Sequence, residues 1–292
     1  MYFDIFNYPL TREELFENSA ISLPYNHFLS ELHSLIEHGL LKEVSGFILS
    51  NTGTPADIEK RLTGNAGAKK VMPLAYSYSK KIATFPFVEA VLLSGALSKN
   101  YYDEKGDIDF FIVTKPGRLW ICRTLLILRF KLLPKNKKKY WCTNYFISSD
   151  NVHIPDANVF TGTELAYLIP TVNYTMYLEL LDKNNWYKSR FPNKAPYPEE
   201  NCMNNPRSIF KSFIEWGFKG KIGSWVDNLL LYVTLKHWQR KYPELSVEDF
   251  DLQFRSRKNV CKRHTKGFQN KVLGLWENRQ KTFELNFNIP LR

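Results

Sequence analysis

The residues of this chain best suited to chemistry lie in the stretch 91–114, which reads VLLSGALSKNYYDEKGDIDFFIVT. Asp107 and Asp109 stand two positions apart just before an apolar run, and a Ser-Gly step follows an earlier apolar run. Because side chains alternate along a strand, both carboxylates are expected on one side of it. Adjacent carboxylates repel each other, and Mg²⁺ or Mn²⁺ neutralises them through oxygen ligands. The spacing therefore predicts a Mg²⁺ or Mn²⁺ site at Asp107 and Asp109.

The elements that must position these residues are two short strands. The apolar runs 91–93 and 110–113 are β-branched or aromatic and are bounded by Gly and polar residues, which is typical of buried strands. A second interpretation stays open at this point. A glycine-led turn followed by a hairpin can use an Asp cluster merely to cap loop amides.

The same residues resemble the DNA polymerase beta-like nucleotidyltransferase superfamily, with flanks closer to stand-alone bacterial nucleotidyltransferase domain proteins than to a polymerase. The shared pattern is an apolar strand, a Gly-led helical turn at Ser94, Gly95 and Ala96, and Asp107-x-Asp109 on the next strand. The resemblance implies that two Mg²⁺ ions at the aspartates assist transfer of a nucleoside monophosphate from a nucleoside triphosphate. The acceptor would be a hydroxyl, and pyrophosphate would leave.

By this resemblance, the turn beginning at Ser94 and Gly95 holds the terminal phosphates of the nucleotide. The family's usual serine after the glycine is Ala96 here, while Ser94 and Ser98 stand on either side. Backbone amides at a helix start can still bind phosphate without that hydroxyl. Arg118, near the start of the following predicted helix, is a further phosphate ligand candidate. The alternative for Arg118 is a solvated arginine at a helix start.

The predicted site lacks an obvious third acidic group. The family usually places a third carboxylate on the strand predicted at 140–148, where this chain has Asn144, and an amide cannot take a proton. Asp150 or Glu164 could substitute for it. The alternative for Glu164 is a first-turn residue that complements a helix dipole.

Composition narrows the class of protein. A formal net charge of +11 over 292 residues indicates an anionic partner, which a nucleotide satisfies as well as nucleic acid does. The four cysteines are too widely spread for a compact disulfide framework or a Cys-x-x-Cys metal site, so reduced thiols and a cytoplasmic location are expected. The longest apolar stretch, 119–133, is interrupted by Arg123, Arg129 and Lys131, which argues against a membrane span.

Residues 10–50 are predicted to form a winged helix. Thr11 and Glu14 form a capping box for a first helix, a second helix starts at Pro24, and a hairpin turns at Ser45 and Gly46. A groove-reading helix needs cations, yet the second helix has no Lys or Arg, so nucleic-acid binding is not favoured over packing or dimerisation.

The predicted architecture is α+β in three parts. These are a winged helix at 1–66, a nucleotidyltransferase mixed sheet flanked by helices at 67–200, and a helical C-terminal domain at 201–292. A polar linker is expected at 51–68 before a helix at 69–84, and C-terminal helices are expected at 208–217, 224–241 and 257–283. Two other functions remain open: a catalytically weakened nucleotide-binding regulatory protein and a winged-helix nucleic-acid-binding regulator. Acceptor, preferred base and oligomeric state are not predicted.

Overall fold

A computed structural model describes residues 2–263 and 267–287 of the chain and shows a mixed α+β fold. The α-helices are α1 (Arg12–Glu17), α2 (Tyr25–Glu37), α3 (Pro55–Ala83), α4 (Gly95–Ser98), α5 (Leu119–Lys131), α6 (Val159–Ala166), α7 (Tyr174–Lys183), α8 (Ile209–Gly217), α9 (Gly220–Lys241), α10 (Val247–Phe254) and α11 (Phe268–Phe287). The β-strands are β1 (Leu41–Val44), β2 (Phe47–Ser50), β3 (Val88–Ser94), β4 (Asp109–Thr114), β5 (Cys142–Ser148), β6 (Ile169–Val172), β7 (Ser256–Arg257) and β8 (Val260–Lys262). Short 3₁₀ helices lie at Phe3–Phe6, Lys135–Tyr140 and Asn185–Ser189.

A mixed sheet with the strand order β6-β3-β4-β5-β8-β7 forms the centre of the protein. Strands β4 and β5 are parallel, whereas the other neighbouring pairs are antiparallel. One face packs against α3, α5, α8 and α9. The other face packs against α6 and α7. The strands predicted at 91–93, 110–113 and 140–148 are therefore confirmed as β3, β4 and β5.

The central residues of β3 and β4, at 90–93 and 110–113, are apolar because both faces of these strands are covered. Along β4, Phe110 and Ile112 enter the core beneath α3 and α5, while Phe111 and Val113 enter the core beneath α6 and α7. Burying a side chain of this size contributes about 2 kcal/mol relative to leaving it exposed. The two apolar layers hold the ends of β3 and β4, and hence the polar residues there, in fixed positions.

The first elements occur in the order that the sequence predicts. The capping box of Thr11 and Glu14 opens α1, and α2 is followed by the β1–β2 hairpin. Ser45 and Gly46 both have positive φ, as a tight hairpin turn requires. Phe28, Leu32 and Ile48 form a small core between these elements. The two helices and the hairpin are thus confirmed as elements.

The linker predicted at 51–68 is wrong, because α3 begins at Pro55 and continues without a break to Ala83. The glycines that suggested a linker have a packing role instead. A Cβ on Gly64 would overlap the ring of Tyr101, and a Cβ on Gly67 would overlap the carbonyl of Tyr102. Glycine at these two positions permits a close approach of chain segments, and the helix tolerates its cost of about 1 kcal/mol each.

The prediction that the C-terminal third is entirely helical is also wrong. The helix predicted at 257–283 crosses residues 264–266, which lie outside the described residues, and α11 begins only at Phe268. Before it, β7 and β8 form an antiparallel pair that extends the central sheet beyond β5. Val260 and Cys261 face Ile147 and Phe146 of β5, so these apolar positions serve a strand and not a helix face.

The predicted absence of a membrane span agrees with the described part of the chain. None of the helices in residues 2–263 and 267–287 combines the length and the apolar character that crossing a membrane would need. Helix α5, which covers most of the stretch 119–133, instead buries Leu119, Cys122 and Leu126 against the sheet.

Candidate functional site

The site lies where β3 ends and β4 begins. In the antiparallel register of these strands, Ser94 is the partner of Asp109. Gly95 follows Ser94 with φ of 68° and opens α4. A Cβ at position 95 would overlap Oδ2 of Asp109, so the turn and the carboxylate are in direct contact. Only glycine provides both this backbone conformation and this space.

The described residues place two carboxylates and one thiol within ligand distance of one another. Oxygens of Asp107 and Asp109 and the Sγ of Cys142 all lie within 4.8 Å of each other. Asp107 is exposed and Asp109 is half-buried. Cys142 stands beside Asp109 because the two residues are partners in the parallel pairing of β4 and β5. Carboxylates are the oxygen ligands that Mg²⁺ and Mn²⁺ favour, whereas a thiol suits softer metals.

The electrostatics of this group fit a bound cation. Burial, followed by the charge of Asp107, raises the pKa of Asp109 to about 7. Burial and the two nearby carboxylates also raise the pKa of the Cys142 thiol. A divalent cation between Asp107 and Asp109 would be the largest local charge. It would therefore lower the pKa of Asp109, which the charge of Asp107 otherwise raises. The donor chemistry of the pair thus suits a hard divalent ion.

Asn144 occupies the place expected for a third acidic residue. The pairing of β4 and β5 shifts register between Phe110 and Phe111, and Asn144 lies at this irregularity. Its Nδ2 donates a hydrogen bond of 2.7 Å to Oδ1 of Asp109. The amide therefore orients Asp109 and stabilises its ionised form, but it offers no carboxylate for a second metal ion and no base.

Glu164, which lies in α6, contacts the turn at Gly95. Its Oε2 accepts a 3.2 Å hydrogen bond from the Gly95 amide, and its Oε1 accepts a 2.8 Å bond from Nζ of Lys99. Because α6 begins at Val159, Glu164 lies in the second turn of the helix. The interpretation of Glu164 as a first-turn partner of the helix dipole is therefore wrong, and its carboxylate belongs to the site.

Lys99 and Cys142 are site residues that the sequence did not single out. Lys99 follows Gly95 by one helical turn, and its Nζ also donates to the Gly95 carbonyl at 3.0 Å. Helical spacing from Gly95 could have indicated it. Cys142 precedes Asn144 by two positions on the same strand. Its proximity to Asp109 depends on the register of β4 and β5, which the sequence does not specify.

The predicted phosphate-binding residues differ in their accessibility. Ala96 is exposed at the start of the turn. Ser98 is buried, and its hydroxyl donates to the Gly95 carbonyl at 2.9 Å, so it supports the turn from inside. Ser94 is buried beside Asp109. The backbone of the Ser94–Ala96 turn is thus better placed for an anion than the hydroxyl of Ser98.

Arg118 does not join the site. Asp109 begins β4, whereas Arg118 follows the far end of that strand at the start of α5. Its Nε donates to the carbonyl of Phe218 at 2.9 Å and its guanidinium also donates to the carbonyl of Gly220 at 3.0 Å. Arg118 is therefore neither placed to contact a phosphate at the site nor a merely solvated arginine at a helix start. It has a structural role, because it binds the turn between α8 and α9.

A cavity of about 50 Å³ extends from the site toward the core. Its lining includes Ser94, Asn144 and Glu164, and it also includes the stacked rings of Phe111 and Tyr145, whose centroids lie 4.5 Å apart. This volume accommodates a few water molecules. A larger cavity of about 210 Å³ is lined mainly by residues of the first 57 positions and contains none of the site residues.

The arrangement joins four chemical capacities at one strand end. Asp107 and Asp109 can hold a divalent cation, the Gly95 turn can approach an anion, Lys99 supplies a positive charge, and Glu164 supplies a carboxylate that can take a proton. Such a set is suited to reactions in which negative charge on phosphate must be neutralised.

Comparisons with protein-family models, with curated proteins and with solved structures find no match for this chain.

Proposed function

We propose that this protein is a Mg²⁺-dependent nucleotidyltransferase, which transfers a nucleoside monophosphate from a nucleoside triphosphate to an acceptor hydroxyl and releases pyrophosphate. The observation that carries the proposal is the direct contact between the Gly95 turn and the Asp109 carboxylate. A phosphate bound by the turn and a cation bound by the carboxylate would necessarily be neighbours. The resemblance of the Ser94–Gly95 and Asp107–Asp109 pattern to nucleotidyltransferases supports the same chemistry.

Each residue of the site has a distinct task in this reaction. Asp107 and Asp109 hold Mg²⁺ or Mn²⁺, which when bound neutralises phosphate charge and stabilises the in-line transition state. Asn144 orients Asp109 through the 2.7 Å hydrogen bond. Glu164 is the carboxylate that can accept the proton of the acceptor hydroxyl, since Asn144 cannot. Lys99 compensates part of the negative charge of Glu164 at 2.8 Å.

A second candidate function is a catalytically weakened nucleotide-binding regulatory protein. Two contacts favour it. The amide of Asn144 takes the place where the family usually has an acid, and the Glu164 carboxylate accepts the Gly95 N–H that a phosphate would use. Ala96 removes one further phosphate ligand. Such a protein would bind the triphosphate and release no pyrophosphate.

The proposed winged helix has a packing role in this scheme, since it is joined closely to the rest of the protein. Arg61 of α3 is buried and pairs with Glu14 of α1 at 2.7 Å. The hydroxyl of Tyr8 donates to the carbonyl of Lys99 at 3.1 Å, which links this region to the candidate site. The absence of Lys and Arg from α2 further disfavours a nucleic-acid regulator.

All four cysteines are free, which supports the proposed cytoplasmic location.

The experiment that tests the function compares the wild type with Asp107→Asn and Asp109→Asn in the presence of Mg²⁺, labelled nucleoside triphosphates and a cell extract as the acceptor source. We expect label transfer and pyrophosphate release by the wild type and a loss of roughly a thousandfold in each variant. Asp103→Asn is the matched control, because Asp103 is exposed and outside the ligand group. Binding of triphosphate without any transfer would favour the regulatory function. Equal transfer by all four proteins would refute the site.

A further inference from the structure

Helix α8 is attached to the protein through its polar side chains. Nζ of Lys211, a buried residue, donates to the carbonyls of Ala83 at 3.1 Å and Val88 at 2.8 Å. Glu215, one turn later, accepts a 2.7 Å hydrogen bond from the amide of Phe87 and pairs with Lys115 at 2.6 Å. Lys211 and Glu215 therefore form the inward side of this helix together with Ile214, which packs against the core.

The outward side of α8 is consequently apolar, which reverses the usual arrangement of a surface helix. Ile209 is 91% exposed, Phe213 is 67% exposed and Trp216 is 68% exposed. Phe210 is exposed beside them. Since Lys211 and Glu215 fix the orientation of the helix, these side chains are held outward by hydrogen bonds and ion pairs.

Helix α9 follows α8 after a short turn, and it also combines exposed apolar side chains with a polar contact to the core. Oδ1 of Asp227 accepts hydrogen bonds from the amides of Trp120 at 2.8 Å and Ile121 at 2.9 Å, at the start of α5. Arg118 binds the turn between α8 and α9. The exposed large apolar side chains of both helices are here named the aromatic face, which comprises Ile209, Phe210, Phe213, Trp216, Ile222, Trp225, Leu229, Tyr232 and Val233.

The exposed charges of the segment that carries the aromatic face have one sign. The segment from Arg207 to Lys241 contains two acidic residues, Glu215 and Asp227, and both are directed to the protein by the contacts given above. Its exposed cations flank the apolar side chains and are Arg207, Lys219, Lys221, Lys236, Arg240 and Lys241. The result is an aromatic surface with a positive rim.

We propose that the aromatic face docks onto the surface of an anionic lipid bilayer. Trp and Tyr place an apolar ring and a polar group at the boundary between lipid and water, and Lys and Arg meet the anionic headgroups. A second copy of this chain would cover the apolar groups but would also bring two positive rims together. The charge of the rim therefore favours lipid over self-association. This proposal is independent of the nucleotidyl transfer proposed above.

The test is co-sedimentation of the full chain with vesicles of phosphatidylcholine alone or of phosphatidylcholine mixed with phosphatidylglycerol. We expect binding to the anionic vesicles that weakens as salt increases, and roughly tenfold or greater loss of binding for Phe213→Ser combined with Trp216→Ser. Ile21→Ser is the matched control, because Ile21 is 63% exposed outside the aromatic face. Thermal melting checks that each variant remains folded.

A second pair of variants tests the positive rim. Lys219→Glu with Lys221→Glu should weaken binding to anionic vesicles by roughly tenfold or more. Lys135→Glu with Lys137→Glu, which makes the same charge change at exposed positions elsewhere, should bind as the wild type does. Wild type that stays in the supernatant, or that binds both vesicle types equally, would overturn the proposal. A dimer in sedimentation velocity that dissociates on Phe213→Ser with Trp216→Ser, together with no vesicle binding, would assign the face to a second copy.

Discussion

The carboxylate of Asp109 occupies the space that a Cβ at position 95 would require, and Gly95 itself has φ of 68°. Two strands of opposite direction create this contact, because Ser94 at the end of β3 pairs with Asp109 at the start of β4. The turn that would hold phosphate and the acid that would hold a cation are therefore one structural unit. A change in either residue should disturb both.

The first prediction concerns Gly95→Ala. The new methyl group would displace the Asp109 carboxylate, so we expect Mg²⁺-dependent nucleotide binding to weaken by roughly tenfold or more, because losing an interaction with a charged group costs about 1.5–3 kcal/mol. Calorimetric titration with a non-hydrolysable triphosphate measures it. Gly117→Ala is a matched control, since Gly117 has φ of 64° and no atom within 4 Å of its added Cβ. Both variants have the same backbone strain, so equal nucleotide affinities would contradict the proposed site.

A second prediction concerns Arg118→Ala. The lost hydrogen bonds to Phe218 and Gly220 should destabilise the protein by about 1–3 kcal/mol, whereas nucleotide affinity should remain that of the wild type. Urea unfolding and calorimetric titration measure the two quantities. The comparison variant is Arg12→Ala, which removes a solvent-screened surface ion pair with Glu43 and should leave the free energy of unfolding close to that of the wild type. Loss of nucleotide affinity in Arg118→Ala with normal stability would restore the phosphate-binding interpretation of Arg118.

Local patterns in the sequence were sufficient to predict the central strands of this fold. Apolar runs predicted β3, β4 and β5, and period-two spacing predicted that the carboxylates of Asp107 and Asp109 lie on the same side, where their oxygens are within 4.8 Å of each other. The position of Asn144 beside Asp109 agrees with what the resemblance to the nucleotidyltransferases implies. These features depend on residues close in sequence or on a simple strand order.

The sequence failed where a residue's role depends on distant partners. Gly64 and Gly67 suggested a linker, but their purpose is the approach of Tyr101 and Tyr102, which lie elsewhere in the chain. Arg118 was placed at a strand end correctly, yet the direction of β4 puts that end opposite Asp109. Strand direction and close approach are properties of the folded chain.

A third prediction concerns the pH dependence of stability through Lys262 in β8. Burial, assisted by the positive charge of Arg255, lowers its pKa to about 8, and the carboxylates of Asp156 and Asp251 act in the opposite direction. Because the unfolded chain then binds more protons between about pH 8 and pH 10, the free energy of unfolding should rise with pH in this window, by at most about 1.4 kcal/mol per pH unit. The measured quantity is the difference in free energy of unfolding between wild type and Lys262→Met.

This difference should stay constant below about pH 8, where Lys262 is protonated in both states. Lys135→Met, at an exposed position, is the control and should leave the difference flat over the whole range. A flat difference for Lys262→Met above pH 8 would show that the buried amine keeps its proton in the folded protein.

The last prediction concerns Asn144→Asp, which would supply the third acid that the resemblance leads one to expect. The Nδ2 of Asn144 lies 2.7 Å from Oδ1 of Asp109, so an aspartate here would add a third carboxylate to the group with Asp107. In EDTA we expect a lower melting temperature than in the wild type, because like charges repel and the hydrogen bond to Asp109 is lost. With Mg²⁺ present we expect a larger rise in melting temperature than in the wild type.

The magnitude follows from linkage between binding and folding. A roughly tenfold gain in Mg²⁺ affinity adds about 1.4 kcal/mol of stability at saturating metal. Asn26→Asp, which adds the same charge at an exposed position on α2, should show the wild-type response to Mg²⁺.

Pyrophosphate release then separates the two candidate functions. A gain in release by Asn144→Asp over a silent wild type would identify the natural protein as the weakened regulator. Release by the wild type that Asn144→Asp does not increase would show that Asn144 is sufficient for catalysis. An identical Mg²⁺ response in all three proteins would remove the metal from this site.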